Sequence, residues 1–223
     1  MTAALDHLVV AARCLQDGVA WCEATLGITP GAGGSHPLMG THNRLFSIAT
    51  PAFPRAYFEI IAIDPAAAAP GRTRWFDLDD AALREGMTHT PQLVHWVARV
   101  DDVAQAVVAL RTHGIDRGHV LAASRDTPRG TLRWQITVRD DGQRLVGGAL
   151  PTLIEWGDTH PADAMPPSGV TLSGMRLRAR DPAALAGALD SIGLRGMVID
   201  EGSDGVQFEL QTALGRVVLS SKL

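Results

Sequence analysis

His7, Glu59, His95 and Glu155 are polar side chains at positions where the surrounding pattern calls for apolar ones. His7 shares a strand face with Leu5 and Val9, and His95 shares one with Leu93 and Val97. Glu59 lies within Tyr57-Phe58-Glu59-Ile60-Ile61 and Glu155 within Leu153-Ile154-Glu155-Trp156, so both carboxylates have apolar neighbours on either side. Burying an unpaired charge is costly or shifts its pKa, and such groups need partners. The histidine and the glutamate are 52 residues apart in the first pair and 60 in the second, and the order of types is the same. Imidazole nitrogen and carboxylate oxygen suit zinc, nickel, manganese or ferrous iron, and an ion would offset two buried negative charges. The pattern therefore predicts one shared polar site with a divalent metal ion held by His7, Glu59, His95 and Glu155.

The elements that must position these residues are written as a repeat. A first strand pattern over Leu5 to Ala11 leads into a helical stretch from Leu15 to Leu26 that stops at Gly27. A second over Gln92 to Ala98 leads through Asp101-Asp102 as caps into a helix ending before Gly114. A third over Leu172 to Ala179 leads through Asp181-Pro182 into a helix stopped by Gly193. His7 lies 20 residues before Gly27 and His95 lies 19 before Gly114, whereas the third copy has no histidine at that distance. Strand-like segments follow each helix: Asn43 to Thr50 and Ala56 to Ile63, Gly130 to Val138 and Pro151 to Gly157, Val206 to Gln211 and Arg216 to Ser221. The expected organisation is a first module over 1–64, a connector over 65–91 with a short helical patch at Asp79 to Arg84, a second module over 92–160, and a third over 170–223 without ligand residues.

Composition narrows the function classes. At 223 residues with 46% apolar content, the chain has ample material for a core. A net charge of -4 and 5% aromatic residues argue against a nucleic-acid partner. No early apolar run approaches the ~20 residues needed to span a bilayer. Cys14 and Cys22 are too few for a disulfide framework and suit a reducing cytoplasm, the expected location.

Six short segments together resemble a known family: Asp6-His7-Leu8-Val9-Val10-Ala11, Gly40-Thr41-His42-Asn43-Arg44-Leu45, Tyr57 to Asp64, Leu93-Val94-His95-Trp96-Val97, Gly130-Thr131-Leu132-Arg133-Trp134-Gln135 and Leu150 to Trp156. In this order they resemble the glyoxalase-like domain proteins of the vicinal oxygen chelate superfamily, over roughly residues 5–160. The resemblance implies an α+β fold in which two paired βαβββ modules form a curved, cup-shaped sheet. It also implies a metal inside the cup, held by one histidine and one glutamate from each module. The third, shorter βαβββ-like module at the C-terminus departs from that pattern, with Val217 and Val218 where a closing carboxylate would fall. It is expected to extend the sheet or build an interface, which leaves a homodimer open.

The function so implied is that of a metal-dependent lyase or isomerase of the glyoxalase type. A small substrate with vicinal oxygens would chelate the ion, and Glu155 or Glu59 would move the carbon-bound proton. The alternatives are a binding or sequestration protein without catalysis, and a ring-cleaving dioxygenase. His36 and His42 flank a glycine-rich loop, and His36, Asn43, Arg44 and Trp134 are the expected substrate contacts. His160, with His89, His113 and His119, is read as a loop or helix-end residue with no special role.

Overall fold

The structure, a computed structural model, describes residues 2–128 and 130–221. Met1, Arg129, Lys222 and Leu223, which the sequence-based boundaries assign to the three modules, lie outside the described residues. The chain opens with β1 (Ala3–Ala11), α1 (Leu15–Leu26), β2 (Gly31–His36), β3 (Thr41–Ser47) and β4 (Tyr57–Ile63). After α2 (Ala81–His89) come β5 (Gln92–Val100), α3 (Val103–Thr112), β6 (His119–Thr127), β7 (Gly130–Val138) and β8 (Thr152–Trp156). The last run is β9 (Thr171–Ala179), α4 (Pro182–Ser191), β10 (Ile199–Glu201), β11 (Gly205–Thr212) and β12 (Gly215–Ser220). Local chemistry accounts for several boundaries. Asp102 and Asp181 accept from the N–H groups of Gln105 and Ala184 at the starts of α3 and α4. Gly27, Gly114 and Gly193 all take positive φ just past a helix, as the sequence leads one to expect.

The first two runs join in one curved eight-stranded sheet of order β2-β3-β4-β1-β5-β8-β7-β6. Within each half the opening strand lies parallel to the closing one, β1 beside β4 and β5 beside β8, and β1 meets β5 antiparallel at the centre. The register there is nearly symmetric: His7 pairs with Val97, and Val9 with His95. Exchanging the halves therefore carries His7 onto His95. Val9 also pairs with Glu59 on β4, and Val97 with Thr152 on β8. The counterpart of Glu59 is thus Thr152, three residues before Glu155.

One face of this sheet carries Leu8, Val10, Phe58, Ile60, Trp96 and Leu153, which form a core with Cys22 and Leu26 of α1, Ala106 and Leu110 of α3, and Leu185 and Leu189 of α4. The other face carries Val9, Ile61, Val97, Trp134, Ile136 and Ile154, and it is covered by Trp75, Phe76 and Leu78. The segment expected only to connect the modules thus folds back into the cup. Its backbone takes positive φ at Phe76 (60°) and Asp77 (59°), an uncommon conformation for a bulky side chain. The turn is held by the ion pair of Asp77 with Arg144 (2.6 Å) and by the Asp77 N–H donating to the Gly142 carbonyl (3.1 Å).

Three sequence expectations change here. The glycine-rich stretch before His36 is not a loop; Gly31–His36 is the edge strand β2, paired with β3. The helix within the connector runs over Ala81–His89, later than the patch expected at Asp79 to Arg84. The last run forms its own four-stranded sheet, of order β10-β9-β11-β12. Its opening strand lies between β10 and β11, whereas in the other two runs the opening strand lies beside the closing one, so equal element order conceals a different winding. This sheet joins the first half through the Leu172 N–H, which donates to the Ile48 carbonyl (3.0 Å). No helix among the described residues is long and apolar enough to cross a membrane.

Candidate functional site

A β-bulge builds the centre of the site. Successive strand residues normally point to opposite faces, yet the β1–β5 register slips between Leu5 and His7, leaving Asp6 without a partner on β5. The slip lets neighbouring side chains meet. His7 Nδ1 lies 2.6 Å from Asp6 Oδ1, in an environment where Asp6 is wholly buried. The other Asp6 oxygen accepts from Trp156 Nε1 (3.0 Å) and from His160 Nε2 (2.8 Å), and the Ala162 N–H donates to His160 Nδ1. His160 therefore carries its proton on the nitrogen facing Asp6. On its far side His7 Nε2 faces Glu59 Oε2 at 3.5 Å, and its ring stacks on Tyr57 with centroids 4.5 Å apart.

The charges follow from this arrangement. Burial alone would push the His7 imidazole down, but the hydrogen bond to Asp6 and the facing Glu59 outweigh it and raise the pKa to about 9. Burial would likewise raise the Asp6 and Glu59 carboxyls. For Asp6 the bonds from His160 and His7 prevail, and for Glu59 the His7 cation and the Asn43 amide do, so both acids lie below the usual carboxylate range. The result is a buried row of anion, cation and anion.

Asn43 on β3 holds the free end of the row. Its Nδ2 donates to Glu59 Oε1 (2.6 Å) and lies 3.3 Å from His36 Nε2, while its Oδ1 accepts from the Gly34 N–H (2.8 Å) and faces Arg125 Nη1 at 3.5 Å. Only this amide orientation offers N–H to the carboxylate. His36 is then an acceptor at Nε2 and a donor at Nδ1, to Thr41 Oγ1 (3.0 Å), which suits a neutral ring. Burial pushes its pKa down to about 4. Beside these groups is a small chamber of 40 Å³, also lined by Tyr57, Trp75, Phe76, Trp134 and Arg125. A recess of 170 Å³ shares His36, Trp75, Trp134 and Ile136 with it.

The structure brings together some of the residues singled out from the sequence and disperses others. His7, Glu59, His36, Asn43 and Trp134 all line the chamber. Arg44, exposed, alternates with Asn43 and leaves on the opposite face of β3. Glu155 is likewise one residue out of phase. Ile154 and Trp156 face the chamber, and Glu155 instead accepts from the Val103 N–H (2.8 Å) at the start of α3, where a carboxylate complements the helix dipole. His95 is fully buried and committed elsewhere: its Nε2 accepts from the Thr152 N–H (3.0 Å) and lies 3.1 Å from Thr152 Oγ1. Phe76 covers its ring at 5.2 Å, and Arg117 donates to the same threonine hydroxyl. Burial and the Arg117 and Arg144 cations hold His95 well below the usual imidazole range. Asp6, Tyr57, Trp75, Arg125 and His160 belong to the site without having been singled out, His160 having been read as a loop residue.

This donor set does not fit the expected metal centre. Among the described residues no three His, Cys, Asp or Glu side chains are grouped so as to hold an ion. His7 and Glu59 alone meet, His95 spends its Nε2 on Thr152, and Glu155 caps a helix.

Residues 5–193 match the family model described as a glyoxalase-like domain. In sequence the chain matches no curated protein. A hypothetical protein from Staphylococcus aureus, 14% identical, superposes with a TM-score of 0.56 over 98% of this chain and 85% of its own, a likeness of fold. Methylmalonyl-CoA epimerase from Streptomyces coelicolor is 18% identical, with a TM-score of 0.43 over 72% of this chain and 99% of its own. The corresponding protein from Mycobacterium tuberculosis is 19% identical, with a TM-score of 0.40 over 72% and 91%.

Two outcomes test this geometry. Glu155→Ala removes a helix-start partner, so urea unfolding should show a loss of about 0.5–2 kcal/mol, while elemental analysis should show the same metal content as the parent protein. The raised His7 pKa contributes stability that is complete below the unfolded value of 6.5 and is lost as pH rises through about 9. Thermal unfolding should therefore show a midpoint that falls between pH 7 and about 9, and Asp6→Asn should move that fall to lower pH.

Proposed function

Because the chain belongs to the glyoxalase-like domain family, we propose that it moves a proton at the carbon next to a carbonyl in a small substrate, an isomerase or lyase step, using Glu59 as base and His7 as electrophile. The observation that carries this reading is the Asp6–His7–Glu59 row, with its outer end on a chamber of 40 Å³. The His7–Glu59 separation of 3.5 Å exceeds the ~2.7–2.9 Å of a fully formed charge-assisted hydrogen bond. An incoming carbonyl oxygen can therefore take the Nε2 proton as a hydrogen bond. As it does so, Glu59 loses the contact that most depresses its pKa and becomes a stronger base only with substrate in place.

Glu59 then takes the proton from carbon, and the negative charge collecting on the substrate oxygen lies against the His7 imidazolium. Asp6 stays ionised and keeps the ring protonated and oriented. Asn43 fixes the other Glu59 oxygen, so the carboxylate is aimed rather than free to rotate. Trp75, Phe76 and Trp134 wall the chamber against water, which strengthens each of these interactions. No step is routed through a metal ion, since the residues gathered here do not form a ligand set.

Hydrogen–deuterium exchange at carbon, followed by proton NMR in deuterated buffer over a panel of small 2-oxo and 3-oxo compounds, tests the reading. The parent protein should catalyse exchange, and Glu59→Gln should lower the rate by about 10²–10⁴-fold with the fold intact. Exchange that survives in Glu59→Gln, or its absence from the parent protein across the panel, contradicts it.

A further inference from the structure

Arg125 enters the chamber from β6 without a carboxylate to pair with: among the described residues, its polar contact is the 3.5 Å approach to Asn43 Oδ1. Asn43 holds the guanidinium and Glu59 apart, with its oxygen turned to the one and its nitrogen to the other. Space for this arrangement comes from the two consecutive glycines of β2. A Cβ on Gly34 would lie 2.5 Å from Arg125 Cδ and Nη1, and one on Gly33 would lie 2.1 Å from the Asn43 carbonyl oxygen. Any side chain at either position would displace the arginine or the asparagine. A second donor stands nearby. Trp75 lines both the chamber and its recess, and among the described residues its buried indole N–H has no partner. A buried donor left unpaired is costly, and one on a cavity wall is a feature that a ligand acceptor would satisfy.

We propose that the ligand of this chamber is a small oxo acid, whose carboxylate is held by Arg125 while its carbonyl oxygen lies toward His7 and the adjoining C–H toward Glu59. The proposal deepens the reading of the site as a proton-transfer centre and rests on it for the carbonyl, but the carboxylate anchor stands on Arg125, Asn43 and the glycine pair. A guanidinium presents a planar fork of donors that matches a carboxylate. The spacing imposed by Asn43 makes the ligand bifunctional, with its anion at one end of the amide and its acidic C–H at the other. The chamber of 40 Å³ has room for about three water-sized groups, so it takes the polar end of such an acid, and the remainder must lie in the adjoining recess of 170 Å³.

Equilibrium binding separates this claim from the catalytic one. Trp75 and Trp134 line the chamber, so their fluorescence can report titration with a small oxo acid, its methyl ester and its amide, with chloride as an ionic-strength control. The acid should bind saturably and about tenfold or more tighter than ester or amide. Arg125→Met should abolish that preference, and Arg125→Lys should restore it only in part, because the point charge returns without the fork. Glu59→Gln should keep the preference even though it loses exchange. Equal binding of acid and ester, or undiminished acid binding by a folded Arg125→Met, overturns the anchor. Exchange restricted to uncharged carbonyl compounds also overturns it while leaving Glu59 as base. Acid-selective binding through Arg125 without exchange supports the anchor and removes the proton-transfer reading instead.

Discussion

Two ionised carboxylates and one imidazolium lie in line inside this protein, and the charged centre depends on that row being complete. Each group alone would lose several kcal/mol of hydration on burial. In sequence they offset one another, because the cation of His7 lies between the anions of Asp6 and Glu59 and the outer lone pairs are taken up by Trp156, His160 and Asn43. Removing His7 leaves two buried anions without the cation they share, and removing Asp6 or Glu59 takes from the imidazolium one of its two acceptors. The bulge at Asp6 makes the row possible, since regular pleating would send Asp6 and His7 to opposite faces.

The two halves of the large sheet share a backbone plan but not a chemistry. The register places His95 where symmetry carries His7, and Thr152 where it carries Glu59. In the first half an ionised acid meets a protonated ring beside a cavity. In the second a hydroxyl meets a ring held neutral by burial and by Arg117 and Arg144, beneath Phe76. One half carries its charged pair on the chamber, and the other closes its pair off beneath Phe76. A shared scaffold carries unrelated sites in just this manner, through a few side chains at equivalent positions.

The α+β class, the helix stops and the opening strands are legible in the sequence because glycine, aspartate and apolar periodicity act locally. His7 and Glu59 are legible as a pair because each interrupts an apolar strand. The parity of Glu155 is not, since Leu153, Ile154 and Trp156 are all apolar and no alternation says which face is wet. The clue is non-local: Glu155 pairs with Gln135, whose neighbours Trp134 and Ile136 take the inner face. Arg44 fails for a simpler reason, as it adjoins Asn43 and so must point the other way. Asp6 and His160 are 154 residues apart, and only the folded chain brings them together. The glycines before His36 resemble a loop because their purpose, making way for Asn43 and Arg125, is set by residues distant in the chain.

The protonation state of His7 bears most directly on this account. Proton–nitrogen correlation spectra of the imidazole, with nitrogen-15 labelling and assignment through a His7→Gln variant, report both ring nitrogens as pH is varied. The row of charges requires a doubly protonated ring at neutral pH that titrates near pH 9. A ring already neutral at pH 7, or one that titrates at its ordinary value of about 6.5, would mean that the buried cation does not exist.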